Sequence, residues 1–187
     1  MVKKPVPQSA VVFAAAGLKR NDPDFYAAEV MNYVLGGGGL TSRLYNEVRE
    51  KRGLAYSINT SLQPLESAGL IRGGGGTVNA SVAEMVRLIR AEWRRLGENG
   101  VSAGELADAK TYLTGSFTLR FSSSGRVAAI LVSMRLDALG IDFLDRRNAL
   151  VEAVTLAQVN QVARRLIDAK TPTFVVVGEP VGSLEGQ

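Results

Sequence analysis

The sequence predicts an α+β fold: one mostly antiparallel sheet of about four strands, with helices packed on one face. Three observations carry this. Gln8–Ala16 is a short apolar, β-branched run of the kind found in buried strands. Ala55–Gln63 and Leu70–Val78 flank a Pro64–Gly69 turn and read as a hairpin. The second half holds three capping-box patterns, Ser81–Glu84, Ser102–Glu105 and Thr155–Gln158, each opening a segment of helical periodicity. Strands gathered early and helices gathered late suit a sheet covered on one side.

The elements follow in order. After Gln8–Ala16, the Gly17–Asn21 turn leads to Asp22 as a cap, with Pro23 at the first helical position. Phe25, Ala28, Val30, Met31, Val34 and Leu35 give that helix an apolar face, and Gly36 is expected to end it. A second helix is expected from Ser42 to Lys51, closed at Gly53. In Ala55–Gln63 the residues Tyr56, Ile58, Thr60 and Leu62 alternate with polar neighbours, which predicts that those four share one face of a half-buried strand.

The predicted helices then run from Ser81 to Gly97 (Met85, Ile89, Trp93, Leu96) and from Ser102 to Phe117 (Leu106, Ala109, Leu113). After a break at Ser122–Ser124, another continues to Gly140 (Val127, Ile130, Leu131, Met134). Shorter ones cover Leu144–Glu152 and Thr155–Ile167, before a last strand, Thr173–Val177. Trp93, Tyr112 and Phe117 sit at helical spacing and are expected in the core or at its edge. No internal repeat or linker divides the chain, so one domain is expected over 1–187, with its core at about 7–178.

Composition narrows the chemistry. The 187 residues are 46% hydrophobic, enough for a substantial core, and mean hydropathy is near zero. No apolar run reaches the roughly 18 residues that span a bilayer. No signal peptide is expected within these residues, any export signal would lie outside them, and both a periplasmic and a cytoplasmic location stay open. With no histidine and no cysteine, the chain lacks disulfides, thiolate metal sites, the common zinc ligands and histidine-based nucleophilic catalysis. No metal site of its own is expected. Net charge is +4, which permits an acidic partner without requiring one.

Two glycine runs stand out. Gly36, Gly37, Gly38 and Gly39, followed by Thr41 and Ser42, suggest an anion loop at a helix start, but the lysine of a phosphate loop is missing. Gly73–Gly76 falls inside a predicted strand, where glycine marks a bulge or a close backbone neighbour. Arg87, Arg90, Arg94 and Arg95 line one helix face. Interspersed acids and absent stacking aromatics favour a solvated face there over a nucleic-acid site. Arg49, in the last turn of its helix, and Tyr56, opening the next strand, are the candidate site pair. Read without context, each is an ordinary residue for its position.

The stretch LGGGGLTSRLYNEVREKRGLAYS resembles the C-terminal domain of the insulinase and mitochondrial-processing-peptidase family of zinc metallopeptidases. The flanks agree: an Asp-Pro-started helix before it, then a Gly-Glu-Leu helix, a Val-Thr-x-x-x-Val helix and a final Val-Val-Val-Gly strand. The resemblance covers about Pro7 to Gly178. It implies one of several homologous α+β domains enclosing a peptide-binding chamber. Zinc would be held elsewhere, on a His-x-x-Glu-His helix and a glutamate of a companion domain or subunit. Arg49 and Tyr56 match the arginine and tyrosine that such a domain directs toward the bound peptide, and Gly36–Gly39 match a glycine-rich turn implicated in substrate handling. Leu40-Thr41 departs from the more usual Phe-Ser, a change expected to be neutral.

The expected function is therefore that of a substrate-binding, chamber-closing domain or subunit, inactive alone, pairing as a homo- or heterodimer with a zinc-bearing homologue. Gly36 and Gly73 are candidates for close approach of that partner, with a simple bend in the chain as the equal alternative. The alternative is a degenerate structural or interaction subunit with no contact to the scissile peptide. A basic nucleic-acid module is a third and weaker reading.

Overall fold

The computed structural model of the protein describes residues 1–167 and 172–181. Five strands form one sheet in the order β1-β5-β2-β4-β3, with β1 Val2–Lys3, β2 Gln8–Gly17, β3 Ala55–Pro64, β4 Gly69–Val78 and β5 Thr173–Gly178. Every pairing is antiparallel except β1 with β5. The expected α+β architecture is what forms. The additional strand, β1, is two residues long and flanked by lysine and proline, too short to leave a periodic trace.

Among the described residues, helices cover one face only. Val11, Phe13, Ile58, Thr60, Ile71 and Val176 point into the core, where α1 (Phe25–Asn32) and α3 (Val82–Asn99) pack on the sheet and α7 (Leu156–Ile167) packs against those two helices. Within that core the Phe13 ring meets Trp93 edge-on at 6.3 Å and Phe174 at 5.6 Å. The opposite face, with Ala10, Val12, Asn59, Ser61, Arg72 and Gly74, carries no helix among the described residues and forms a shallow groove of about 410 Å³. Trp93 and Phe117 are buried as expected, whereas Tyr112 is half exposed and stacks on Tyr33.

Several boundaries differ from the sequence reading, each for a local reason. The first helix begins at Phe25. Asp22 accepts the Asp24 backbone N–H and pairs with Arg165, which leaves Pro23 in the preceding turn. Gly36 does not end that helix, because the chain continues through a π-helical turn, Tyr33–Gly37, with Gly36 buried inside it. The second helix is split into α2 (Arg43–Tyr45), capped by Ser42, and a π turn at Asn46–Glu50. A 3₁₀ turn at Asn79–Ser81 takes the place of the expected box, and Ser81 makes no side-chain cap. The other two boxes form: Ser102 and Glu105 bond reciprocally, as do Thr155 and Gln158.

Helix α4 (Ala103–Gly115) stops before Phe117, which opens a 3₁₀ stretch, Phe117–Phe121. Helix α5 (Ser124–Leu136) ends short of Gly140, and α6 runs from Phe143 to Glu152. Of the apolar residues expected to seat α5 in the core, only Met134 is buried.

Both glycine runs answer needs within the fold. A Cβ on Gly36 would lie 2.6 Å from Thr60 Oγ1 and 2.9 Å from the Thr60 backbone nitrogen, so the π turn rests directly on β3. A Cβ on Gly73 would overlap the Phe13 ring, and one on Gly75 would sit 2.5 Å from the Ser57 carbonyl oxygen. The close neighbours of Gly36 and Gly73 are thus this chain's own strands, in the positions considered for a docking partner. Of the two meanings considered for Gly73–Gly76, a bulge or a close neighbour, the close neighbour applies at Gly73, Gly74 and Gly75, while Gly76 has open space around it.

Candidate functional site

The site is assembled at the junction from α2 to β3. Tyr45, in α2, and Arg49, one turn on, lie on the same side of the helix because residues four apart are neighbours there. Gly53 reverses the chain at φ +62°, a conformation that costs glycine nothing, while its N–H bonds the Arg49 carbonyl at 2.8 Å. The Leu54 N–H follows by bonding the Val48 carbonyl at 2.9 Å, and Thr77 Oγ1 donates to the Leu54 carbonyl at 2.6 Å. These bonds fix where β3 starts.

Tyr56 does not share a face with Ile58, Thr60 and Leu62 as the alternation predicts. Ala55 pairs with Thr77 and Ile58 with Gly75, so two residues of β3, Tyr56 and Ser57, stand opposite the single residue Gly76. This is a β-bulge, and it turns both side chains outward. Tyr56 is 84% exposed, while Ala55 and Ile58 on either side are buried.

The bulge delivers the Tyr56 ring to Arg49. The Arg49 guanidinium carbon lies 4.8 Å from the Tyr56 ring centre and 4.9 Å from that of Tyr45. An Arg49 N–H also donates to the Tyr45 hydroxyl. The guanidinium is therefore held between two aromatic rings, a geometry worth roughly 0.5–1 kcal/mol per exposed cation–π contact. Its other donors, and the hydroxyl of the exposed Tyr56, make no hydrogen bond to a protein partner among the described residues. The two expected site residues come together. Tyr45 belongs with them, and the signal for it in the sequence is its spacing four residues before Arg49.

A second arginine of the stretch has a different task. Arg43 donates from Nε to Glu105 Oε1 at 2.7 Å, from Nη2 to Glu105 Oε2 at 2.8 Å, and to the Gly100 carbonyl at 2.9 Å. These hydrogen bonds hold the Glu105 carboxyl down to about 2, against the opposing effect of burial and with help from Ser102. Arg43 thus ties the glycine turn and α2 to the start of α4. Lys51 and Arg52 both bind Glu47, whose carboxyl they keep below its usual range.

The glycine turn meets the same strand as Tyr56, since Gly36 rests on Thr60, four residues further along β3 and facing the core. Gly37 and Gly39 are exposed, as is Leu40 at 70%, and Thr41 Oγ1 bonds the Tyr33 hydroxyl and the Gly38 carbonyl. Arg87 and Arg95, on the helix considered for nucleic acid, pair with Glu84 and Glu92, and Arg90 stacks over Phe174.

Zinc does not fit this chain. It has neither histidine nor cysteine, and among the described residues no three acids gather as a possible metal site. No helix of the described residues is long and apolar enough to cross a membrane.

The fold is thus an α+β sheet covered by helices on one face, with Arg49 stacked on Tyr56 at its surface. Residues 1–113 match the family described as the peptidase M16 inactive domain, and the chain belongs to that family. Over 181 residues it is 30% identical to an uncharacterized zinc protease of Streptomyces coelicolor, covering 95% of this chain and 38% of that protein. A Helicobacter pylori relative named a non-peptidase homolog is 27% identical over 91% of this chain and 40% of its own length. The crystal structure of a peptidase M16 inactive domain from Pseudomonas fluorescens superposes with a TM-score of 0.85 at 28% identity, over 99% of this chain and 44% of that one. The chain therefore spans less than half the length of these relatives.

Proposed function

We propose that this domain is the substrate-facing half of a zinc metallopeptidase, closing a peptide-binding chamber whose metal is supplied by a companion domain or subunit. The observation that carries this reading is the Arg49 guanidinium wedged between Tyr45 and an outward-turned Tyr56. A packing element has no need of a bulge that exposes a tyrosine, nor of an arginine whose outer donors are left free. Arg49 brings a planar fork suited to a peptide carbonyl. Tyr56 brings one O–H that can donate to the carbonyl oxygen as negative charge grows on it. The bare sheet face, where Ala10, Ser57, Ser61 and glycines lie beside Arg72, leaves a groove in which a chain can lie. Residues 1–187 are taken as one domain of that assembly, and the turn at Gly36–Gly39 as part of its substrate-handling surface.

The test is peptide hydrolysis by the complete zinc-containing assembly carrying Arg49→Ala or Tyr56→Phe. A loss confined to turnover and substrate binding, with the fold intact, supports the reading. Unchanged kcat and KM in both would hand the case to the second reading, a structural subunit without contact to the scissile peptide. That second reading draws its support from the relative named a non-peptidase homolog.

A further inference from the structure

The bare face of the sheet carries a single charge. The side chains that β2 to β5 direct away from the core are neutral with one exception, Arg72 on β4, and among the described residues of those strands no acid lies on that face. Strand β4 is flanked by β2 and β3, so Arg72 stands in the middle of the face and not at its rim. It pairs with Ala14 on one side and Ser61 on the other, and Gly74 follows two residues along its own strand. Arg72 is exposed and makes no hydrogen bond, ion pair or ring contact with a described residue.

The groove of about 410 Å³ on this face runs from Arg72 and Ser61 to Gly76 and Ser57, the residue after Tyr56. Tyr56 and Ser57 stand opposite Gly76 at the bulge, and Arg72 is four residues from Gly76 along β4, about 13 Å at strand rise. A peptide lying extended along the strands repeats at the same rise, and its side chains alternate. When one of its residues is held at Tyr56, the residue four along therefore lies over Arg72 and points the same way. The residues three and five along point away.

We propose that Arg72 is a specificity-determining residue of the peptide chamber, binding the carboxylate of an aspartate or glutamate four residues from the one whose carbonyl meets Arg49 and Tyr56. A guanidinium presents its N–H groups as a fork that matches both oxygens of a carboxylate. Phosphate recognition gathers several arginines, whereas the groove offers one. A lysine or arginine at the same place in the peptide would meet like charge with no acid nearby to offset it. The substrates so defined are peptides with an acidic side chain at a fixed distance from the scissile bond. This role rests on the function proposed above.

The test uses the complete zinc-containing assembly and peptides with one cleavable bond. A single glutamate is walked from two to six residues away on either side of that bond, each peptide matched by a glutamine control. The kcat/KM ratio of glutamate to glutamine should peak at roughly 10-fold four residues away on one side, the lower end for a hydrogen bond between charged groups, and fall at three and five. Arg72→Gln should bring the ratio to about one. Arg72→Glu should invert it and favour lysine at that place, a gain that a misfolded chain cannot produce. A ratio near one at every position overturns the proposal, as does a preference that survives Arg72→Gln, one that is the same at all positions, or one that needs the free C-terminal carboxylate of the peptide. If Arg49→Ala and Tyr56→Phe slow cleavage while glutamate and glutamine peptides are cut alike, only the role of Arg72 falls. If neither slows it, the chamber reading falls as well.

Discussion

The Arg49 guanidinium carbon stands 4.8 Å above the centre of the Tyr56 ring, which couples a helix end to a strand start across the Gly53 turn. Each side chain limits the other's freedom, so the two should be treated as one unit in any substitution.

In the complete zinc-containing assembly, Tyr56→Phe keeps the stacking ring and removes only the hydroxyl. Turnover should fall about 100- to 1,000-fold if that O–H meets the developing oxyanion, with KM little changed. Arg49→Ala should weaken both binding and turnover, and Arg49→Lys should rescue poorly because an ammonium cannot reproduce the fork. Steady-state kinetics on a peptide substrate checks all three.

Tyr45→Phe removes the acceptor of the Arg49 hydrogen bond while preserving its ring. Stability should fall by about 0.5–1.5 kcal/mol, the range of a single hydrogen bond, measured by urea denaturation. In the assembly, KM should rise more than kcat falls, since Arg49 stays stacked but is aimed less tightly. Tyr45→Leu should do more damage than Tyr45→Phe.

Glu105 gives a pH dependence with a definite sign. Its carboxyl sits at about 2 when folded, against an ordinary 4.5, so folding favours the ionised form. The resulting stabilisation is complete above pH 4.5 and drains away as pH falls toward 2. Thermal melts between those values should show the midpoint dropping with acid, and Glu105→Gln should flatten that part of the curve. Arg43→Ala should destabilise at neutral pH by about 1.5–3 kcal/mol, the range for a hydrogen bond to a charged group.

Gly36→Ala should be costly, because the added methyl meets Thr60 Oγ1 and the strand backbone together. Forcing a methyl into a filled space costs typically 1–3 kcal/mol. Thermal denaturation checks it, and Gly39→Ser, in open space though at positive φ, tests strain without the clash.

The isolated chain should carry no stoichiometric zinc. Elemental analysis after dialysis against zinc-containing buffer is expected to return background metal only.

Much of this was readable from the sequence, and the exceptions share a cause. Strand β2, the hairpin and the Ser102 and Thr155 caps announce themselves by local pattern, since each depends on residues at most four apart. The outward turn of Tyr56 depends on counting β3 against β4, a comparison between chain segments twenty residues apart. The π turns at Tyr33–Gly37 and Asn46–Glu50 are invisible for a related reason, because the apolar spacing there is compatible with an ordinary helix. Gly73 looks like a weak spot in a strand until Phe13 is known to lie across from it. Arg43 and Arg49 look alike in the sequence. Only the position of Glu105 separates the arginine that locks the fold from the one that stacks on Tyr45 and Tyr56.

The bulge at Tyr56 and Ser57 sets two successive outward side chains where a regular strand would have one. Side chains on a strand alternate, so removing Ser57 would restore even pairing with Tyr56 opposite Gly76, still outward between the inward-facing Ala55 and Ile58. The orientation of the tyrosine therefore tolerates the loss of its neighbour. A relative with one residue fewer here would keep both the arginine and the tyrosine at the surface and lose only the second outward position.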